Sequence, residues 1–237
     1  MPTPDDHELT EINPYDLMES EAARLEFYFG SLRGDDWDEA SACEGWSVKD
    51  VLAHLAGGEE YNRACLTDSV STMFERYAAR GATDVHSFNA LGVSDRKQRT
   101  PADLLDEFQR ENGATRADMR RRDGEQMPTA VGPYPVRWQA WHLASELATH
   151  ADDVGVPTTH KREEETRRDW RVRFARFALA EMKPDVEVQV LGDGTWVRAN
   201  GVEATLTDDQ LIDAVNARLP ADSPVNPTLR EALAALG

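Results

Sequence analysis

Apolar residues recur at three- and four-residue steps in four separate stretches of this chain, the period of a helix that buries one face. The first stretch opens at Asn13-Pro14, an N-cap residue followed by proline at the first helical position, and carries Met18, Ala22, Leu25, Phe29 and Leu32. The second opens at Ser47, where Asp50 completes a variant of the capping box and Trp46 can staple the turn. Its core face is Val48, Val51, Leu52, Leu55 and Ala56. Thr100-Pro101-Ala102-Asp103 starts the third, which continues through Leu104, Phe108, Thr115 and Met119 to the basic run Arg120-Arg121-Arg122. Those guanidiniums suit the negative end of a helix dipole. The fourth runs from Arg137 to Asp153, four to five turns at roughly 3.6 residues per turn. Gly155 and Pro157 stop it. Between the second and third stretches, Ser69 to Arg80 reads as a short helix. Gly81 then opens a polar loop through His86, Asn89 and Arg96 that could wall a pocket, and Gly124 to Pro135 reads as another loop.

The pattern changes after Pro157. Thr158 to Glu165 is polar and charged, as a linker would be. Trp170, Phe174, Phe177 and Ala178 give one more amphipathic helix. The stretch VEVQVLGDGTWVRANGVEATL then alternates apolar and polar residues around Gly192-Asp193-Gly194, a β-hairpin signal. Thr207 caps a helix expected to reach Leu219, and Pro227 to Leu236 reads as a short terminal helix. The expected class is therefore mainly α. Residues 1–12 form a mobile tail, 13–157 a four-helix bundle and 158–237 a small α+β domain.

Composition narrows the function classes. The chain has 237 residues, 40% of them hydrophobic, so a folded core is expected. Its 44 acidic residues against 26 basic leave a net charge of −18, which repels nucleic acid and anionic membrane surfaces. No apolar run approaches the ~20 residues of a membrane span, and the acidic start lacks an apolar targeting segment. Two cysteines, Cys43 and Cys65, point to a reducing cytosol rather than a disulfide framework. A cytoplasmic monomer or homodimer is the expectation. Lysine occurs only four times, so arginine dominates the basic complement, as in a high-GC bacterium, here read as actinobacterial. The chain shows no glycine-rich phosphate loop, no Cys-x-x-Cys and no Gly-x-Ser-x-Gly turn.

Chemistry concentrates on the fourth helix. At about 100° per residue, His142, Glu146 and His150 share a stripe roughly 80° wide that also takes in Asp153. Leu143, Leu147, Ala151 and Val154 fill the adjoining sector, so the stripe borders the face expected to be buried. A carboxylate there needs a cation or a set of donors, which a divalent metal would supply; ordinary i,i+4 contacts on an exposed face are the plainer reading. His54, alone among apolar positions of the second helix, reads by itself as a hydrogen-bonded core histidine. If the second and fourth helices are neighbours, His54 meets Glu146 and His150. Two imidazoles and a carboxylate are a set used in catalytic zinc sites with the fourth position open, and nickel, cobalt or iron would also be tolerated.

The segments GWSVKDVLAHLA and ELATHADDVG resemble the mycothiol-dependent maleylpyruvate isomerase family, within the DinB-like metalloenzyme superfamily. The residues that carry the likeness are Gly45-Trp46-Ser47, Ala53-His54-Leu55, Glu146, His150 and Asp153. The resemblance implies a DinB-like bundle with an up-up-down-down order of helices and the metal ligands His54, Glu146 and His150. It implies a divalent metal, zinc first, and mycothiol as a thiol cosubstrate activated as a metal-bound thiolate. The reaction implied is S-transfer to a small electrophile or its thiol-assisted isomerisation. Asp153 and Arg218 are the candidate catalytic residues, Asp153 orienting a ligand or reactant and Arg218 anchoring an anionic substrate. The neighbours of Arg218 depart from the family's pattern, and a helix-end arginine near the dipole is its plainer role. Arg96 and Arg137 are further candidate cations. The competing readings on the same fold are a non-catalytic metal or thiol sensor and a metal-free interaction bundle.

Overall fold

Pro14 opens helix α1 (Pro14–Ser31) at its first position, and Ser47 opens α2 (Val48–Leu66), accepting from the Asp50 amide while Asp50 reaches back to the Ser47 amide. These are the reciprocal bonds expected of a capping box. Helices α3 (Val70–Ala78) and α4 (Val85–Arg96) follow, then α5 (Pro101–Arg121), started by the Thr100 hydroxyl accepting from Asp103. A two-stranded antiparallel ribbon, β1 (Gln126–Thr129) and β2 (Gly132–Pro135), leads into α6 (Val136–Asp153). The computed structural model describes residues 5–158, 160–192 and 194–236. It divides into two compact units, Pro14–Val156 and the pair of segments Met1–Asn13 and Pro157–Gly237.

The first unit is a bundle of α1, α2, α5 and α6. Helix α2 packs on α5, and α1 packs on both α6 and α5. The apolar stripes read from the sequence meet inside it, with Met18, Leu25, Phe29, Leu52, Leu104, Phe108, Met119, Trp141 and Leu147 fully buried. Polar contacts give the helix directions. The Tyr15 hydroxyl donates to Asp123 just past the end of α5 (2.8 Å), and the Tyr28 hydroxyl donates to the carbonyl of Val154 at the end of α6 (2.7 Å). Helix α1 is therefore antiparallel to α5 and parallel to α6. Arg63 and Asp118 (2.6 Å), with Glu59 and Asn112 (2.6 Å), place α2 parallel to α5.

The class is the expected one, but the helix order is up-down-down-up rather than up-up-down-down. The cause lies in the connections. The segment joining α1 to α2 is spent on a 3-10 turn, Gly34–Asp38, and a loop closed by an Ala40–Ser47 bridge, so it turns at one end of the bundle. Only residues 67–100, which include α3 and α4, run back along its length.

Two expected loops are ordered elements. Residues 85–96 form α4, capped by the Asp84 carboxylate accepting from Ser87, with Gly92 and Val93 buried. Its apolar residues bury little beyond Gly92 and Val93, and paired charges also hold it: Arg80 with Asp95 (2.6 Å) and Arg96 with Glu107 (2.8 Å). The ribbon of β1 and β2 replaces the loop at 124–135. Pro128, Pro133 and Pro135 masked it; a two-stranded ribbon is all edge, where a missing N–H is tolerated.

The second unit holds α7 (Lys161–Met182), a three-stranded antiparallel sheet and two short helices, α8 (Asp208–Val215) and α9 (Pro227–Leu233). Strands β3 (Glu187–Leu191), β4 (Gly194–Ala199) and β5 (Val202–Leu206) lie in that order. The alternating stretch thus makes one strand more than a hairpin. Asn200 and Gly201, both at positive φ (51° and 76°), supply the second turn. Asp193, expected in the hairpin turn, lies outside the described residues. Helix α7 begins at Lys161, inside the segment expected as a linker, of which Thr159 is not described. Helix α8 stops short of Leu219, with Ala217 at φ 55° just beyond it.

The expected N-terminal tail is also revised. Residues 1–4 lie outside the described residues, but His7–Leu9 form a 3-10 turn with Leu9 only 2% exposed. Glu8 is ion-paired with Arg176 of α7, and that pair with the buried leucine anchors the segment within this unit. Among the described residues no helix is long and apolar enough to cross a membrane.

Candidate metal centre

Helices α2 and α6 bring together the residues expected as ligands. Val51, Leu52 and Leu55 turn inward on α2 and carry His54 with them, leaving it 7% exposed. On α6, Leu143, Leu147 and Ala151 do the same for His150, which is 5% exposed. Nε2 of His54 lies 2.9 Å from Oε1 of Glu146, and Nε2 of His150 lies 3.3 Å from the same oxygen. The two imidazoles meet edge to face with centroids 4.7 Å apart. One ligand atom from each of the three residues falls within a 4.8 Å group.

Glu146 differs from its expectation. Its side chain is 45% exposed, so the cluster opens toward water on this side. Desolvation of the carboxylate between two rings opposes its ionisation, yet His150 and His54 outweigh that and hold its pKa well below the usual carboxylate range. Burial likewise disfavours the charged form of His150, but Glu146, Asp153 and Cys43 hold its pKa well above the ordinary histidine value. Two imidazole nitrogens and a carboxylate oxygen converging at one point are chemically suited to a divalent ion, with the open side of Glu146 left for a further ligand. The donor set does not select among zinc, nickel, cobalt and iron.

Asp153, one turn beyond His150, stands on the far side of that ring. Its Oδ2 is 2.9 Å from Nδ1 of His150, and it is 5% exposed. The same oxygen accepts from the Cys43 thiol at 3.1 Å. Cys43, His150 and Asp153 form a second compact group of potential metal donors, sharing the His150 ring with the first. Sequence reading used Cys43 only to infer the redox compartment. Its position three residues before Trp46, in the turn that starts α2, was the available signal. Its approach to residues 107 and 110 positions away needed the fold.

The remaining candidates are not among the three grouped donors. His142, one turn before Glu146, pairs through Nε2 with the Tyr134 hydroxyl (3.1 Å). Arg137 is 3.7 Å from Asp123. Arg96 is bound to Glu107 and the carbonyl of Gly92, beside Gly57, where a side chain would crowd its guanidinium. Arg218 belongs to the second unit, where its guanidinium donates to the carbonyl of Asn216 (3.1 Å). A cleft of ≈ 470 Å³ is lined by Glu59, Arg63, Met73, Arg76, Arg96 and Glu107, among others, and by none of the three candidate ligands. Its arginines already have carboxylate partners: Asp118 for Arg63, Glu60 for Arg76 and Glu107 for Arg96.

Fold and donor set together define the class: a DinB-like helical bundle with a candidate site for a divalent metal. The model of the mycothiol maleylpyruvate isomerase N-terminal domain matches residues 18–155, more than half of the chain, and the chain belongs to that family. Two solved structures share the fold, both of the mycothiol-dependent maleylpyruvate isomerase and one of them a His-to-Ala mutant. Their TM-scores are 0.53 and 0.52 at 17% sequence identity, over 75% of this chain and 71% of theirs. A search of curated proteins finds no match.

Proposed function

We propose that this protein is a divalent-metal-dependent enzyme that uses mycothiol, either to isomerise a small electrophile or to transfer the thiol to it. The observation that carries the reading is the convergence of His54, Glu146 and His150, from two helices, in a member of this family. The family's description favours the isomerase form, and maleylpyruvate is the first electrophile to try. When bound, the ion, with zinc the first expectation, supplies a Lewis acid that lowers the pKa of a thiol beside it.

The chain's own residues prepare the site for that chemistry. Trp46 lies against His54, ring centroids 5.0 Å apart, and restricts the orientation of that imidazole. Asp153 holds Nδ1–H of His150 and so leaves Nε2 as the nitrogen that would bind an ion beside Glu146 and His54. Glu146 contributes negative charge at the open edge, where thiol and electrophile would enter from water. Arg218 is the candidate anchor for an anionic electrophile, a role resting on its charge and on the family likeness. The net charge of −18 suits a small-molecule partner better than nucleic acid, and the expected compartment is the cytoplasm.

The test is metal content per chain by mass spectrometry of untagged, chelator-free protein, followed by assay of maleylpyruvate with and without mycothiol. About one divalent ion per chain and turnover only with the thiol are expected. Failure to take up any ion on reconstitution would overturn the reading.

A further inference from the structure

The loop between the 3-10 turn and α2 touches both candidate histidines. The Ala42 amide donates to the carbonyl of Asp153 (2.8 Å), tying the loop to the end of α6. The Trp46 amide donates to the carbonyl of Cys43 (3.0 Å), and the Ser41 amide to the carbonyl of Trp46 (3.0 Å). The Ser41 hydroxyl accepts from the Cys43 amide (3.2 Å) while donating to the Trp46 carbonyl (2.8 Å). Gly45, at φ +77°, allows so tight a turn. This backbone fixes Cβ of Cys43 over the end of α6, with the thiol 3.1 Å from Oδ2 of Asp153 and 3.8 Å from Nδ1 of His150.

We propose that Cys43 is a positioning residue of the candidate metal centre, acting on His150 through Asp153. The inference rests on the reading of His54, Glu146 and His150 as metal ligands. One carboxylate oxygen accepts from both the thiol and the imidazole N–H. The thiol restrains the carboxylate's rotation and the carboxylate holds the proton on Nδ1, so that Nε2 is the nitrogen that would give up its proton to an ion, facing Glu146 and His54. Because Asp153 is 5% exposed, water cannot readily replace the thiol as a donor to it. Cys43 and Asp153 satisfy each other and His150 without a second ion, which favours orientation over ligation by the sulfur. Removal of such an outer partner typically weakens a metal site about 10–100-fold.

The experiment is cobalt(II) and zinc(II) titration of the wild type, Cys43→Ser and Cys43→Ala, by absorption and by competition with a chromophoric chelator. Circular dichroism checks folding. The wild type should bind one ion. Cys43→Ala should bind about 10-fold more weakly or worse, with altered visible cobalt bands. Cys43→Ser, which keeps a donor to Asp153, should bind within a few-fold of the wild type. It also keeps the question answerable if Cys43→Ala fails to fold. Equal affinity and identical cobalt spectra in all folded variants would overturn the role of Cys43 while leaving the metal site intact. A near-ultraviolet thiolate-to-cobalt band in the wild type, lost in Cys43→Ser, would overturn it by making the sulfur a ligand. No ion bound by the wild type would overturn the underlying reading itself.

Discussion

His150 is held from both sides: Nδ1 lies 2.9 Å from Oδ2 of Asp153, and Nε2 lies 3.3 Å from Oε1 of Glu146. The spacing of three and four residues on α6 puts a carboxylate one turn away in each direction, so the ring cannot rotate without losing one of them. This is the geometry that the proposed role of His150 as a metal ligand requires, with an orienting group on one nitrogen and the candidate site on the other. Asp153→Asn keeps the size of the side chain and removes the charge that accepts from Nδ1–H. Its zinc affinity should fall about 10–100-fold, with an unchanged circular dichroism spectrum. Calorimetric titration that returned wild-type affinity would remove Asp153 from the site.

Deleting a ligand should cost more than deleting its support. Glu146→Ala and His150→Ala are expected to lose metal by more than about 100-fold, and thiol-dependent activity with it. Both should stay folded, since neither residue contributes to the apolar core. Full metal retention in both variants, measured as ions per chain, would sink the ligand assignment.

A second buried carboxylate gives a prediction about pH. Glu59 on α2 is 2% exposed and accepts from Asn112 at 2.6 Å and Asn62 at 3.4 Å. Burial pushes its pKa up, and the hydrogen bonds from Asn112, Thr115 and Asn62 with the charge of Arg116 pull it back only in part. The folded state therefore holds this proton more tightly than the unfolded state does. The resulting penalty is absent below the ordinary carboxyl value and grows as pH rises toward the raised one. Glu59→Gln should gain stability relative to the wild type as pH is raised from about 4 to 8. Urea midpoints that differ by a constant amount across that range would contradict the assignment.

The bundle core should respond as a close-packed interior. Phe108 on α5 is fully buried between helices that also contribute Leu52 and Phe29 to the core. Phe108→Ala is expected to destabilise by about 3–5 kcal/mol through lost burial and the cavity left behind. A shift in the unfolding midpoint equivalent to less than about 1 kcal/mol would mean that the site repacks.

Much of the scaffold was legible because its signals are local. Capping residues at Asn13-Pro14, Ser47 and Thr100 mark helix starts wherever they fall, and the apolar stripes behind them name the buried faces. The spacing of Glu146 and His150 put both on one side of α6 before any contact was known. Helix α4 escaped notice because paired charges hold it more than an apolar stripe does, and the ribbon escaped because its prolines argue against strands.

Only the tertiary structure decided how these pieces meet. Whether His54 is a solitary core histidine or part of a cluster depends on α2 lying beside the end of α6, 92 residues away in sequence from Glu146. The order of helix directions follows from which connection is long enough to return along the bundle, and periodicity carries no information about that. The pairing of Cys43 with Asp153 is equally invisible in one dimension, because it joins a loop to a helix end 110 residues later. Local propensity and capping act within a turn or two of the chain, whereas a metal site is a property of side chains converging from distant segments.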